Sequence, residues 1–308
     1  MTGTAASLRV FLDASPSTAL VEVAEAKGST PREKGAWMLV SPERIFGTIG
    51  GGQLEFMAID RAREMLAAEN LAPLPPLDGE GAERSEVGGV RTPQSPPPVL
   101  RTTSPIEGEE SSVILDIPLG PEIGQCCGGR VSVSIRMVDG DLRAKLLAEA
   151  EADDARRPHV YVFGGGHVGH ALACAFALLP VRVIVVETRA DALDDISENV
   201  ETRLTPVPEE MIAVAPAGSA FVVLTHDHSL DFLIVAEALK REDAAYVGMI
   251  GSKTKKATFR SWYLKTGGGS EAAFSRLVSP IGGNTIKDKR PAVIAALAAA
   301  EIMTSLAR

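Results

Sequence analysis

From residue 159 onward, short apolar runs alternate with amphipathic stretches, and the first junction between them reads Gly164, Gly165, Gly166, His167, Val168, Gly169. This alternation constrains the fold more than any other feature of the chain. Runs at 159–163, 181–186, 220–224 and 245–249 read as strands. Helical spacing falls at about 167–179, 229–241, 253–266 and 291–306. Four short apolar strands separated by amphipathic helices predict a parallel sheet with helices on both faces. Residues 159–308 are therefore expected to form a Rossmann-like α/β domain.

The glycine-rich junction follows a predicted strand and opens a predicted helix, the context that a dinucleotide fingerprint requires. Gly164, Gly166 and Gly169 let backbone amides approach a phosphate at the positive end of the helix, with His167 beside them. They equally permit tight strand–turn–helix packing. Glu187 ends the second strand, 23 residues after Gly164, where an acidic side chain suits a ribose hydroxyl. The third strand runs into Thr225, His226, Asp227 and His228, and the fourth into Ser252 and Lys253, with Lys255 and Lys256 beyond. In an open α/β sheet these strand ends share one crevice, so all of these groups are candidates for binding a phosphate-bearing ligand. His226 and His228 also suit a plainer role, bonding loop backbone and capping the next helix. A dinuclear metal hydrolase reading fails on spacing: Asp231 falls one position late, and the chain holds only five histidines.

The first half has a different rhythm. Strands are expected at 20–26, 36–40, 44–48, 113–117 and 130–138, with a helix from Gln53. Gly50, Gly51 and Gly52 precede that helix as a second anion cradle, and Glu55 in its first turn also serves the helix dipole. Residues 1–140 thus read as an α+β domain, with a helix and linker over 141–158. The domain is interrupted at 73–112, which holds eight of the twenty prolines and no apolar period, the composition of a disordered loop. Between the last two strands lie Cys126 and Cys127, two of only three cysteines. Adjacent Cα atoms sit about 3.8 Å apart, whereas a relaxed disulfide needs roughly 4.4–6.8 Å. At least one thiol is left for sulfur transfer or metal binding, unless both are simply small buried hydrophobes. Cys174, among Ala and Leu in a helix, reads as core.

Composition bounds the setting. A net charge of −9 argues against nucleic acid as a general partner. No apolar run reaches the roughly 20 residues that span a bilayer, and no secretory signal is visible. Three cysteines without an export signal predict a reducing, cytoplasmic location.

Taken in order, the segments 28–32 (Gly-Ser-Thr-Pro-Arg), 47–55, 124–129 (Gly-Gln-Cys-Cys-Gly-Gly), 163–169, 225–231, 246–253 and 279–282 resemble the XdhC/CoxI family, the xanthine dehydrogenase accessory proteins. The run 287–296 resembles it as well, and the likeness spans nearly the whole chain except 73–112. The resemblance implies a chaperone more than a turnover enzyme. Such a protein binds the molybdenum cofactor (molybdopterin) and shields it while a cysteine desulfurase supplies the terminal sulfido ligand. It then delivers the cofactor to the molybdenum-binding subunit of xanthine dehydrogenase. On that basis Cys126 and Cys127 become candidates for holding molybdenum or relaying sulfur, and the pterin phosphate is assigned to the glycine loop at 164–169 or the one at 50–52. A homodimer is compatible with the resemblance. The intact fingerprint and Glu187 keep an NAD(P)-dependent oxidoreductase as the second reading.

Overall fold

The structure of the chain is a computed structural model that describes residues 4–69, 112–119, 128–197, 200–283 and 286–307. Cys126, Cys127 and residues 73–111 of the proline-rich stretch lie outside the described residues. The chain divides into two compact units, one ending at Ala152 and the other starting at Asp153.

The N-terminal unit opens with α1 (Ala5–Ala14), capped by Thr4 Oγ1, which accepts from the Ser7 N–H at 3.2 Å. The sequence reading assigns no element here, although Leu8, Phe11 and Leu12 follow helical spacing and are buried. Strands β1 (Ala19–Lys27), β2 (Trp37–Val40), β3 (Ile45–Gly47), β4 (Ser112–Pro118) and β5 (Arg130–Met137) form an antiparallel sheet in the order β3-β2-β1-β5-β4. Ser112, read above as the end of the insert, is the first residue of β4 and pairs with Arg136.

Alternation in β5 is clean: Val131, Val133 and Ile135 are buried, and Ser132 and Ser134 are less so. On the buried face lies α2 (Gly52–Glu69), which contributes Leu54, Ala58, Ala62 and Leu66 at helical spacing. Across the sheet, Leu20 and Leu39 pack with α1 and with Leu142, Leu146 and Leu147 of α3 (Gly140–Arg156). Most of α3 is therefore part of this core and not a connector. Fully burying one such aliphatic side chain is worth about 1.5–3 kcal/mol.

In the C-terminal unit, β6 (His159–Phe163), α4 (His167–Phe176), β7 (Arg182–Glu187), β8 (Glu201–Leu204), α5 (Glu210–Ala213), β9 (Ala220–Val223) and α6 (His228–Lys240) follow in turn. After them come β10 (Tyr246–Met249), α7 (Lys253–Lys265), α8 (Glu271–Ser275), β11 (Leu277–Val278) and α9 (Pro291–Leu306). All six strands run parallel, in the order β11-β10-β9-β6-β7-β8. This is the Rossmann arrangement of two mononucleotide halves flanking a central pair. One face packs Val160, Val162 and Val222 against Leu172 and Phe176 of α4 and Ala298 and Ile302 of α9. The other packs Phe163, Phe221 and Val223 against Ile234 and Leu239 of α6 and Phe259 of α7. The four expected strands are present; β8 and β11 extend the sheet by one strand at each edge. Among the described residues, no helix is long and apolar enough to cross a membrane.

Candidate functional site

Strand order reverses between β6 and β9. The chain moves outward from β6 through β7 and β8, then returns to β9 and proceeds the other way. Loops leaving the carboxyl ends of β6 and β9 diverge at such a switch point, which is where ligands of open α/β sheets bind. Gly164 turns the chain out of β6 with φ +120°, and a Cβ there would lie 2.6 Å from the Leu224 carbonyl of the neighbouring loop. Only glycine meets both demands. Gly169, in the first turn of α4, is buried against the Gly164 carbonyl. Gly166 is the residue preceding α4; it has no side-chain cap, and a Cβ built on it would meet nothing within 4 Å. His167 follows it and is exposed.

Glu187 departs from the ribose-binding expectation. Its side chain is 4% exposed, and both oxygens are engaged by the protein itself. Oε2 accepts from the Gly165 N–H at 2.8 Å, while Oε1 accepts from the Thr188 N–H at 2.8 Å, the Thr188 hydroxyl at 3.1 Å and the Arg189 N–H at 3.1 Å. Arg189 Nε stands 3.6 Å away. Burial alone raises a carboxyl pKa, but the amides of Gly165, Thr188 and Arg189 and the Thr188 hydroxyl outweigh it and hold Glu187 below the usual range. The carboxylate anchors the glycine loop to the end of β7.

At the end of β9, Asp227 and not a histidine caps α6, accepting from the Ser229 N–H at 2.7 Å. That bond, opposed by desolvation and helped by the Leu230 amide and the charge of His226, lowers the Asp227 pKa. His226, Asp227 and His228 are exposed. At the end of β10, Ser252 caps α7 by accepting from the Lys255 N–H at 3.2 Å, and Lys253 is exposed in its first turn. Lys255 is turned inward instead, where it pairs with a fully buried Asp231. The structure therefore brings the loops bearing His167, His226, Asp227, His228, Ser252 and Lys253 to one end of one sheet, and it removes Asp231 from any metal-ligand role. Among the described residues, no group of three or more His, Cys, Asp or Glu is placed to hold a metal ion.

In the N-terminal unit, three motif segments far apart in sequence meet at one corner. Ser29 and Gly128 form an isolated parallel bridge, which sets the 28–32 turn beside the start of β5. Gly50, at φ +125°, lies so close to the same turn that a Cβ would sit 2.8 Å from Pro31 Cβ. The expected anion cradle at Gly50, Gly51 and Gly52 is filled from within. Glu55 Oε2 accepts from the Thr48 hydroxyl at 2.6 Å, the Gly51 N–H at 2.9 Å and the Ile49 N–H at 3.2 Å. An internal carboxylate stands where a phosphate would otherwise compete for those donors. Cys174, expected in the core, is exposed, because α4 turns Leu172, Ala173 and Phe176 inward and leaves position 174 on the outer side.

With this geometry in view, the similarities to known proteins become specific. Residues 160–302 match the model of the XdhC Rossmann domain, and residues 12–72 match the XdhC and CoxI family model. Together the two cover about two thirds of the chain. The chain belongs to the XdhC and CoxI family. It is similar to the uncharacterized protein YqeB of Escherichia coli K12, with 24% identity over 294 residues, 92% of this chain and 43% of YqeB. The chain thus spans less than half the length of that relative. It is also similar to the crystal structure of a xanthine dehydrogenase from Bacillus halodurans, with a TM-score of 0.71, 15% identity, and coverage of 98% of this chain and 95% of that one. At that identity the likeness is one of fold.

The N-terminal family match ends at residue 72, where the proline-rich stretch of the sequence begins. The Asp231–Lys255 pair and the filling of the 48–51 loop by Glu55 are not among the sequence expectations above. Glu55 lies seven residues from Thr48 and was within reach of a capping argument; the 24-residue separation of Asp231 from Lys255 offers no local signal.

Proposed function

We propose that this chain is a maturation factor for xanthine dehydrogenase. It holds the molybdenum cofactor while a cysteine desulfurase supplies a sulfido ligand, and it then passes the cofactor to the molybdenum-binding subunit. Membership of both halves in one family carries this reading. When bound, the cofactor supplies the molybdenum atom that receives the sulfur. The residues present fit such a group in one respect that can be checked: the turn at Gly166 has room for a phosphate, since a Cβ there would meet nothing, and it opens a helix of ten residues whose first amides are donors. The loop at 50–52 fits less well, because Glu55 occupies its amides. The pterin phosphate is accordingly assigned to Gly166 and His167, and molybdenum or sulfur to Cys126 and Cys127, whose thiolates are soft ligands.

The test is to load the full-length protein with cofactor anaerobically, repurify it, and measure released pterin by fluorescence and molybdenum by mass spectrometry. Wild type is expected to retain both, and Cys126→Ser or Cys127→Ser to lose molybdenum and fail in transfer to apo-dehydrogenase. A wild-type protein that holds neither overturns the proposal. Cysteine variants that still activate the dehydrogenase point instead to an interaction scaffold. The sheet order favours one other reading, an NAD(P)-dependent oxidoreductase. That reading needs Glu187 to release Gly165, Thr188 and Arg189 for a ribose, and a flat nicotinamide titration disposes of it.

A further inference from the structure

The least expected feature of the C-terminal unit is an ion pair sealed beneath its candidate site. Asp231, in the first turn of α6, is 0% exposed, and the Lys255 side chain on α7 is 8% exposed. Every strong acceptor of the aspartate is used. Oδ1 accepts from the Thr225 N–H at 2.9 Å and the Thr225 hydroxyl at 2.7 Å, and Oδ2 meets Lys255 Nζ. Thr225 Oγ1 in turn accepts from the Asp227 N–H at 3.2 Å, and Asp227 caps α6. Gly251 makes the approach of the lysine feasible, because a Cβ there would lie 2.6 Å from Lys255 Cδ.

Taking two charges out of water is costly, and a packed apolar pair of similar size often stabilises a fold as well or better. Stability of the sheet alone is therefore a weak reason for such a pair, whereas the pair ties two loops together. Its members sit one on each side, Thr225 and Asp231 after β9 and Gly251 and Lys255 after β10. We propose that Thr225, Asp231 and Lys255 are positioning residues that hold the 225–228 loop and the start of α7 in register. His226, Asp227 and His228 on one side, and Ser252 and Lys253 on the other, are thereby presented together to a phosphate-bearing ligand. The inference rests on the reading above for its ligand, but not for its geometry.

The experiment uses the full-length chain and the double variant Asp231→Asn/Lys255→Met, which removes both charges at similar volume. Three readouts are taken: thermal melting, the ring resonances of His226 and His228, and titration with inorganic pyrophosphate. The double variant is expected to melt cooperatively, to displace or broaden both histidine resonances, and to bind pyrophosphate about tenfold more weakly, a loss of about 1.4 kcal/mol. A folded double variant with unmoved resonances and unchanged affinity overturns the proposal. Should that variant fail to fold, Thr225→Val keeps the ion pair and removes the hydroxyl's bonds to Asp231 and to the Asp227 backbone. It must move the same two resonances, and unchanged spectra again overturn the idea. Resonances that move in the variants, with no pyrophosphate binding by wild type, support the positioning role and count against the cofactor reading of this site.

Discussion

A carboxylate enclosed by amide donors depends on pH differently from one in water, and the side chain of Glu187 is the clearest example here. Its charge is stabilised by Gly165, Thr188 and Arg189 more than burial disfavours it, so its folded pKa lies below its unfolded one. Stability gained this way is fully present above the unfolded carboxylate pKa of about 4.3 and is lost as pH falls through the lower, folded value. Glu187→Gln is therefore expected to cost about 1–3 kcal/mol at neutral pH, the usual range for charge-assisted bonds to a buried group. The gap between variant and wild type should close on acidification below about pH 4. Urea unfolding at several pH values checks both parts; a gap that widens in acid contradicts the assignment. Glu55 also holds loop amides, at 48–51, and Glu55→Ala strands those of Ile49 and Gly51, which lose their acceptor. Its expected cost is about 1–3 kcal/mol, read from the same unfolding curves.

At the level of elements, legibility in the sequence tracks burial. Strands β6, β7 and β9 are continuous apolar runs because both faces are covered, and their positions follow from pattern alone. Edge strands carry no such mark. β8 reads Glu-Thr-Arg-Leu, and β11 is two residues long; both exist because a neighbouring strand offers a ladder, which is tertiary information. The same holds for the Asp231–Lys255 pair, which needs β9 and β10 side by side before the two residues can meet. Helix starts were more accessible, since Ser252 with a following helical pattern is an ordinary capping signal. Ser252→Ala is expected to destabilise the protein by about 0.5–2 kcal/mol, and Ser252→Gly by only a few tenths. Thermal melts of the two variants test that order; equal losses would mean that the hydroxyl does something beyond capping α7.

At the level of the whole molecule, each of the two units has hydrophobic clusters of its own. Ile135 and Leu115 belong to the core under α2, and Phe221 and Phe163 to a core of the C-terminal sheet; no residue is common to the two. Much of the function proposed above was legible as motifs, but motifs do not say which loops are already satisfied. Glu55 and Glu187 acquire their roles only when the loops close around them. Separate cores imply that damage in one unit should be felt first in that unit, because local opening follows the cooperative packing of each core. Ile135→Ala is expected to cost about 2–5 kcal/mol and Phe221→Ala about 3–5 kcal/mol. Native-state hydrogen exchange separates the two effects. Ile135→Ala should speed exchange in β1 and β5 while β6 and β9 keep their protection, and Phe221→Ala should do the reverse. Equal loss of protection in all four strands from either variant would show that the chain opens as one cooperative body and that its two units are not separable in stability.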